Sequence, residues 1–293
     1  MQLTGEKGYL TMLEEVMRNG ELVQDRTGVG SCQCVVPYQI DWDMWWGFPC
    51  LTTKNVFWKG AIAELIWMCR GSTNVRELSQ ILYGDPDKPN FWTPNYDAQA
   101  VALGYTDGEL GPVYGKQLVD FNGVNQLKYV EELLKADQYS RRAVISMWNP
   151  AELDEMALPP CHYTSVFNVK DIGVEKLLNL TVVMRSNDLF LGAPFNYVFY
   201  GALLLCFSEI LGLTPGIYSH ISVNSHIYSN QVEQVKTQLT RTPAENRPEL
   251  VLSKKAKELF KMFGVDAFHM IGLEDFEMTN YFPQGSLTAK MAV

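Results

Sequence analysis

The 293-residue sequence is short of positive charge: 24 Lys and Arg stand against 33 Asp and Glu, a formal net charge of −9. Binding duplex DNA needs a basic face, so such a polyanion is excluded as the main partner. A small phosphate, held by a few well-placed arginines, is not. Histidine is scarce too. Only His162, His220, His226 and His269 occur, without HxxxH or CxxC spacing, so no metal site is expected. Cys32, Cys34, Cys50, Cys69, Cys161 and Cys206 form no CxxC pair, and a chain this long needs no disulfide staple, so they read as free thiols. No basic segment followed by an apolar run opens the chain, and its most apolar stretch, 197–213, is broken by Ser208 and Glu209. The expectation is a soluble, cytoplasmic protein that crosses no membrane.

What is present is core material: 47% of residues are hydrophobic and 19% charged, which excludes a disordered chain. Leu10, Met12, Leu13, Val16 and Met17 predict an amphipathic helix over 6–19. Trp58, Ile62, Leu65, Ile66 and Cys69 predict another over 57–70, stopped by Gly71. Val124, Leu127, Val130, Leu133 and Leu134 mark a third. Strands are predicted at 35–42, 143–148, 163–169, 177–184 and 217–224, with a turn at Asp171-Ile172-Gly173. Residues 82–113, rich in Gly, Pro, Asp and Asn, read as irregular structure around a short helix. Residues 196–212 are apolar nearly all round, the pattern of a buried central helix. With no repeat, linker or low-complexity tract, the organisation is a single α+β domain over 1–293, helices packed on a sizeable sheet.

The chemistry concentrates around Leu158-Pro159-Pro160-Cys161-His162. Two prolines hold the approach to Cys161 extended. Alone, Cys161 is a buried structural thiol or a nucleophile. Arg141-Arg142 upstream and Arg185 downstream favour the second, because nearby positive charge lowers a thiol pKa. Glu64 sits among apolar helix neighbours, either as a solvated position or as a half-buried acid–base group. Asn196 is either a helix N-cap or a ligand reader, and Trp92 either core packing or a cofactor wall.

In order, the chain also carries Asp25-Arg26-Thr27-Gly28, Gly47-Phe48-Pro49, Leu51-Thr52-Thr53-Lys54, Glu64-Leu65-Ile66-Trp67 and Gly111-Pro112-Val113-Tyr114-Gly115-Lys116-Gln117. Ser140-Arg141-Arg142, Gly192-Ala193-Pro194-Phe195-Asn196, His226-Ile227-Tyr228-Ser229-Asn230 and Lys290-Met291-Ala292-Val293 follow. Over nearly its whole length the sequence resembles the thymidylate synthase family, which also contains the bacteriophage pyrimidine-nucleotide hydroxymethylases. The resemblance implies a large mixed β-sheet packed against helices, with sheets back to back in a homodimer. It implies one-carbon transfer from 5,10-methylenetetrahydrofolate to carbon 5 of dUMP, without a metal. Cys161 would add to carbon 6, Glu64 would relay protons, and Tyr114 and His162 would complete the catalytic set. Arg26, Arg185 and Ser186 would hold the phosphate, joined by Arg141 and Arg142 from the other subunit. His226 and Tyr228 would take the ribose hydroxyl. Asn196 would read uracil, its amide offering the one donor and one acceptor that ring N–H and carbonyl require. Asp188 would serve substrate and cofactor alike, while Lys54, Trp92, Gly192 and Val293 would face the folate, the terminal residues closing over it.

Several positions depart from the synthase pattern: Leu118-Val119 after Gln117, Val166 five residues beyond Cys161, Met184 and Asn187-Asp188 around Arg185-Ser186, Ser222-Val223, and Gln231. Met184-Arg185-Ser186-Asn187-Asp188 is similar to the phage hydroxymethylase version, so the leading expectation is a dUMP hydroxymethylase, in which water captures the one-carbon unit. The alternative is a thymidylate synthase, favoured by Trp92 and the terminal Lys290–Val293 block. A non-catalytic nucleotide- or RNA-binding regulator is the remaining reading.

Overall fold

The computed structural model describes residues 3–292. A two-residue strand, β1 (Leu3–Thr4), leads into α1 (Gly5–Asn19), which buries Tyr9, Met12, Leu13 and Val16. β2 (Glu21–Val23), β3 (Ser31–Cys34) and β4 (Tyr38–Asp43) follow. The predicted strand at 35–42 is therefore cut: Pro37 has no N–H for a ladder, and the chain changes sheets there.

The helical stretch holds α2 (Trp58–Cys69), α3 (Val75–Tyr83), the single turn α4 (Thr93–Asn95), α5 (Tyr114–Val119) and α6 (Gln126–Ala136). Then come β5 (Val144–Ser146), β6 (His162–Asp171), β7 (Lys176–Met184), β8 (Asn187–Asp188), α7 (Gly192–Leu211), β9 (Thr214–Ser222) and β10 (Ser225–Tyr228). The chain continues through α8 (Val232–Leu239), β11 (Glu249–Leu252), α9 (Lys254–Phe263) and β12 (Phe276–Thr279).

One sheet has six strands in the order β1-β4-β9-β7-β6-β5, and it is mixed: β7 runs parallel to β9 and antiparallel to β6. β6 and β7 form a hairpin closed where predicted. Gly173 adopts φ +90°, and its N–H donates to Asp171 Oδ1 at 2.7 Å. Alternation along β7 buries Leu178, Leu180, Val182 and Met184, and leaves Leu177, Asn179, Thr181 and Val183 half-buried on the other face. The buried face packs on α7, which also touches α2, α6 and α9, so α7 is buried nearly all round. α7 is long and apolar enough to cross a membrane, yet it is a core helix here.

α7 begins four residues earlier than its apolar run predicts. Asp188 Oδ1 accepts from Phe190 N and Leu191 N at 2.9 and 3.0 Å, and Pro194 fits a first helical turn, where its missing N–H has no partner to lose. Asn196 therefore lies inside the helix, not at its N-cap. A second sheet, β2-β3-β10-β8, has β10 antiparallel to β3 and parallel to β8. It supplies one wall of the site.

Candidate active site

A cleft of ≈ 830 Å³ opens between this second sheet, the 158–162 approach to β6, the first turn of α7 and the terminal Met291-Ala292. Cys161 stands at the head of β6, and its N–H donates to Tyr114 Oη at 2.8 Å. Arg185, just beyond β7, braces the proline approach: Nε donates to Pro160 O and Nη2 to Pro159 O, each at 2.8 Å. That places Nη2 3.9 Å from Cys161 Sγ. The expectation of a thiol lowered below its ordinary pKa is corrected: burial pushes Cys161 up, and Arg185 and Arg26 oppose without overcoming it. Burial thus favours the protonated thiol at Cys161, and the nearby guanidiniums favour its ionised form.

His162 is buried, stacked on Tyr114 with centroids 4.2 Å apart, and its Nδ1 lies 2.5 Å from Tyr200 Oη. Burial holds its pKa down at about 3. Its imidazole is neutral at physiological pH and can orient Tyr114, but it is no cationic acid.

Glu64 projects from α2 and is 7% exposed. Burial pushes its carboxyl up to about 7, against a 2.6 Å hydrogen bond that Trp92 Nε1 donates to Oε1. The solvated reading of Glu64 is set aside. Its pKa falls where a proton can be taken or given near neutrality. The sequence offers Trp92 as core packing or as a cofactor wall, and its hydrogen bond to Glu64 is an addition from the structure. Its ring lies 5.7 Å from Trp67 and 5.9 Å from Tyr114, which locks the indole in place.

Arg26, Ser186, His226 and Tyr228 line the same cleft. Arg26 comes from the turn after β2, Ser186 from the link between β7 and β8, and the other two from alternate positions on β10. Asn196 and Gly192 reach it from the first turns of α7, and neither end of the Asn196 carboxamide makes a hydrogen bond among the described residues. Asp188 is rigidly held: Gln231 Nε2 donates to Oδ2 at 2.9 Å while Oδ1 takes the two N–H groups before α7.

One member expected in this cleft, Lys54, lies elsewhere. Lys54 is 4% exposed, its ammonium donating to Phe190 O and lying 3.7 Å over the Phe190 ring, so it faces the interior rather than a folate. Burial lowers its pKa to about 7. Arg141 and Arg142 are exposed and absent from this cleft's lining. Val293 lies outside the described residues. In return the cleft recruits Asp25, Gln33, Phe91, Phe195 and Asn224. Of these only Asp25 and Phe195 stood in the quoted blocks.

Comparison with known proteins identifies what this arrangement belongs to. The family model described as "Thymidylate synthase" matches residues 7–293. The chain belongs to the thymidylate synthase family. It is 40% identical to the thymidylate synthase of Enterobacteria phage T4, over 98% of this chain and 100% of that one. It is 38% identical to a probable thymidylate synthase of Escherichia phage T5, covering 97% and 99%. The crystal structure of the T4 phage enzyme superposes with a TM-score of 0.88, covering 97% of this chain and 99% of that one. The chain is accordingly a folate-dependent one-carbon transferase. Both relatives are phage proteins named as a thymidylate synthase or a probable one, so the leading expectation of a hydroxymethylase is not supported and the synthase reading is the better one. Several of the departures from the synthase pattern have structural surroundings of their own. Gln231 holds Asp188, Leu118 is buried, and Asn187 pairs with His220 at 3.0 Å.

Proposed function

We propose that this protein is a thymidylate synthase, a single catalytic domain that converts dUMP to dTMP and releases dihydrofolate. The observation that supports it best is the joint opening of Cys161 and the Glu64–Trp92 pair into one cleft that also carries Arg26, Asn196 and His226. Cys161 Sγ adds to carbon 6 of the uracil ring, which makes carbon 5 nucleophilic. Glu64, poised near 7, relays protons to and from the ring. Bound methylenetetrahydrofolate supplies both the one-carbon unit and the hydride that reduces it. Asp188 suits that ligand, since its carboxylate is anchored on three N–H donors and keeps acceptor capacity towards the cleft. Lys54, turned inward, takes no part in this proposal.

Asn196 reads uracil with a free amide, one end accepting from ring N–H and the other donating to the neighbouring carbonyl. Cytosine reverses that pattern, so dCMP is a poor substrate. We place Arg26, Arg185 and Ser186 at the phosphate. Arg141 and Arg142, exposed and outside their own cleft, serve the site of a second copy. The half-buried face of the large sheet, with Thr181 and Val183 on β7 and Ser219 and Ile221 on β9, is the surface through which two copies join.

The deciding experiment incubates the protein with dUMP and methylenetetrahydrofolate and identifies the nucleotide by mass, with dihydrofolate followed in parallel. Methylated nucleotide with equal dihydrofolate is expected. A hydroxymethylated product without dihydrofolate would return the reaction to the hydroxymethylase branch. Full biological activity in a Cys161→Ala protein would remove the enzyme reading altogether.

A further inference from the structure

Along one wall of the cleft, five polar side chains form a continuous hydrogen-bonded file. Ser31 Oγ donates to Asp25 Oδ2 at 2.9 Å, and Gln33 Nε2 donates to Ser31 Oγ at 2.9 Å. Asn224 Nδ2 donates to Gln33 Oε1 at 3.0 Å, and His226 Nδ1 lies 3.2 Å from Asn224 Oδ1. The register of the second sheet brings the members together, because β3 and β10 are antiparallel with Gln33 opposite His226 and Ser31 opposite Tyr228.

The file has a direction, set at its far end. An ionised carboxylate only accepts, and hydrogen bonds from Thr27 and Ser31 outweigh burial to hold Asp25 below the ordinary carboxylate pKa. The Ser31 proton therefore goes to Asp25, and its oxygen must accept from Gln33. That orients the Gln33 amide with Oε1 toward Asn224. It orients the Asn224 amide in turn, Oδ1 toward the imidazole. His226 Nδ1 then has to carry the ring hydrogen.

We infer that Asp25, Ser31, Gln33 and Asn224 are positioning residues that fix His226 as its Nδ1–H tautomer, so that Nε2 presents a lone pair to a sugar hydroxyl of the bound nucleotide. Nε2 makes no hydrogen bond among the described residues, and His226 lines the cleft. Burial lowers its pKa and so favours the neutral ring, while Asp188, the Asn224 backbone and Asp25 pull the other way. A lone pair at Nε2 forces the hydroxyl to donate to it, and leaves the hydroxyl oxygen to accept from elsewhere. An Nε2–H would reverse that direction. The tautomer is a property of the chain, whereas the sugar-hydroxyl role rests on the nucleotide reading above.

The tautomer is read directly by nitrogen-15 NMR of histidine-labelled protein without ligand, His226 being assigned among the four histidines with a His226→Asn protein. The wild type is expected to show protonated Nδ1 and bare Nε2. Gln33→Leu frees the Asn224 amide to turn over, and should populate Nε2–H. Gln33→Glu still offers Asn224 an acceptor, and should keep Nδ1–H. Asn224→Leu gives a second route to the same loss, in case one variant folds poorly. An Nε2–H wild type overturns the inference. So does an unchanged tautomer in folded Gln33→Leu and Asn224→Leu, with the Asn224 backbone carbonyl then sufficing. In turnover, Gln33→Leu should raise the nucleotide KM about tenfold and change kcat less than about threefold, the loss of one buried hydrogen bond to substrate. A shifted tautomer with an unmoved KM overturns the sugar-hydroxyl role. Because the NMR needs no nucleotide, failure of the synthase reading leaves the tautomer result standing.

Discussion

Cys161 and Glu64 are both buried ionisable groups, and burial does opposite service in the two cases. In Glu64 it raises the carboxyl to about 7, where a relay works best. In Cys161 it raises the thiol, which slows nucleophilic attack unless positive charge opposes it. Arg185→Gln should therefore push the thiol pKa higher still. The pH dependence of alkylation by iodoacetamide measures this, and its midpoint should move to higher pH. The folded-state pKa of Glu64 lies above its unfolded value, so its ionised form is the one the fold disfavours. Its destabilising effect is absent below the unfolded pKa, grows as pH rises toward 7, and is full above it. Glu64→Gln keeps an acceptor for Trp92 and removes that cost. It should be inactive, yet more stable than the wild type by up to about 3 kcal/mol at pH 8 and by much less at pH 5, in chemical denaturation. Glu64 and Cys161 were legible as candidates because their motif blocks are local. The direction of the Cys161 shift was not, because burial is a tertiary quantity.

The elements show the same division. Alternation along β7 and the Asp171–Gly173 turn are local codes, and both appear at their predicted places. Pro37 breaking a strand and Pro194 opening α7 are local codes too, but they were overridden in the prediction by the apolar pattern around them. The contact between Glu64 on α2 and Trp92, just before α4, is different. Trp92 lies 28 residues from Glu64, and nothing in either segment marks them as partners. Trp92→Phe keeps most of the aromatic packing and removes the N–H that stabilises the carboxylate. The Glu64 limb of the pH–rate profile should move to higher pH, and an unmoved limb would count against Glu64 as the titrating group. Leu180 on β7 is fully buried between sheet and helix, so Leu180→Ala should cost about 3 kcal/mol of unfolding free energy, read from the denaturation midpoint.

At the scale of the whole molecule, the net charge of −9 is compatible with the proposed phosphate site because that site needs cations that are placed rather than abundant. Arg26 and Arg185 line their own cleft, while Arg141 and Arg142 are exposed and outside its lining. If a second copy receives them, a mixture can recover what each variant lacks. Cys161→Ala subunits still carry Arg142, and Arg142→Ala subunits still carry Cys161. Unfolding and refolding the two inactive proteins together should therefore regain activity, and refolding each alone should not. Val183→Asp, on the half-buried sheet face, should shift sedimentation toward the monomer and lower activity in step.

The sequence by itself determined the family, the α+β class and most of the residues singled out that line the cleft, because ordered motif blocks and hydrophobic alternation are properties of neighbours along the chain. Only the tertiary structure decided which chemistry those residues have. It turned Lys54 inward, joined Trp92 to Glu64, raised Cys161 by burial, and lined Asp25, Ser31 and Gln33 against Asn224 and His226 across nearly two hundred residues. Burial and hydrogen-bond direction depend on which strands become neighbours, and that is written in register and packing rather than in any single segment.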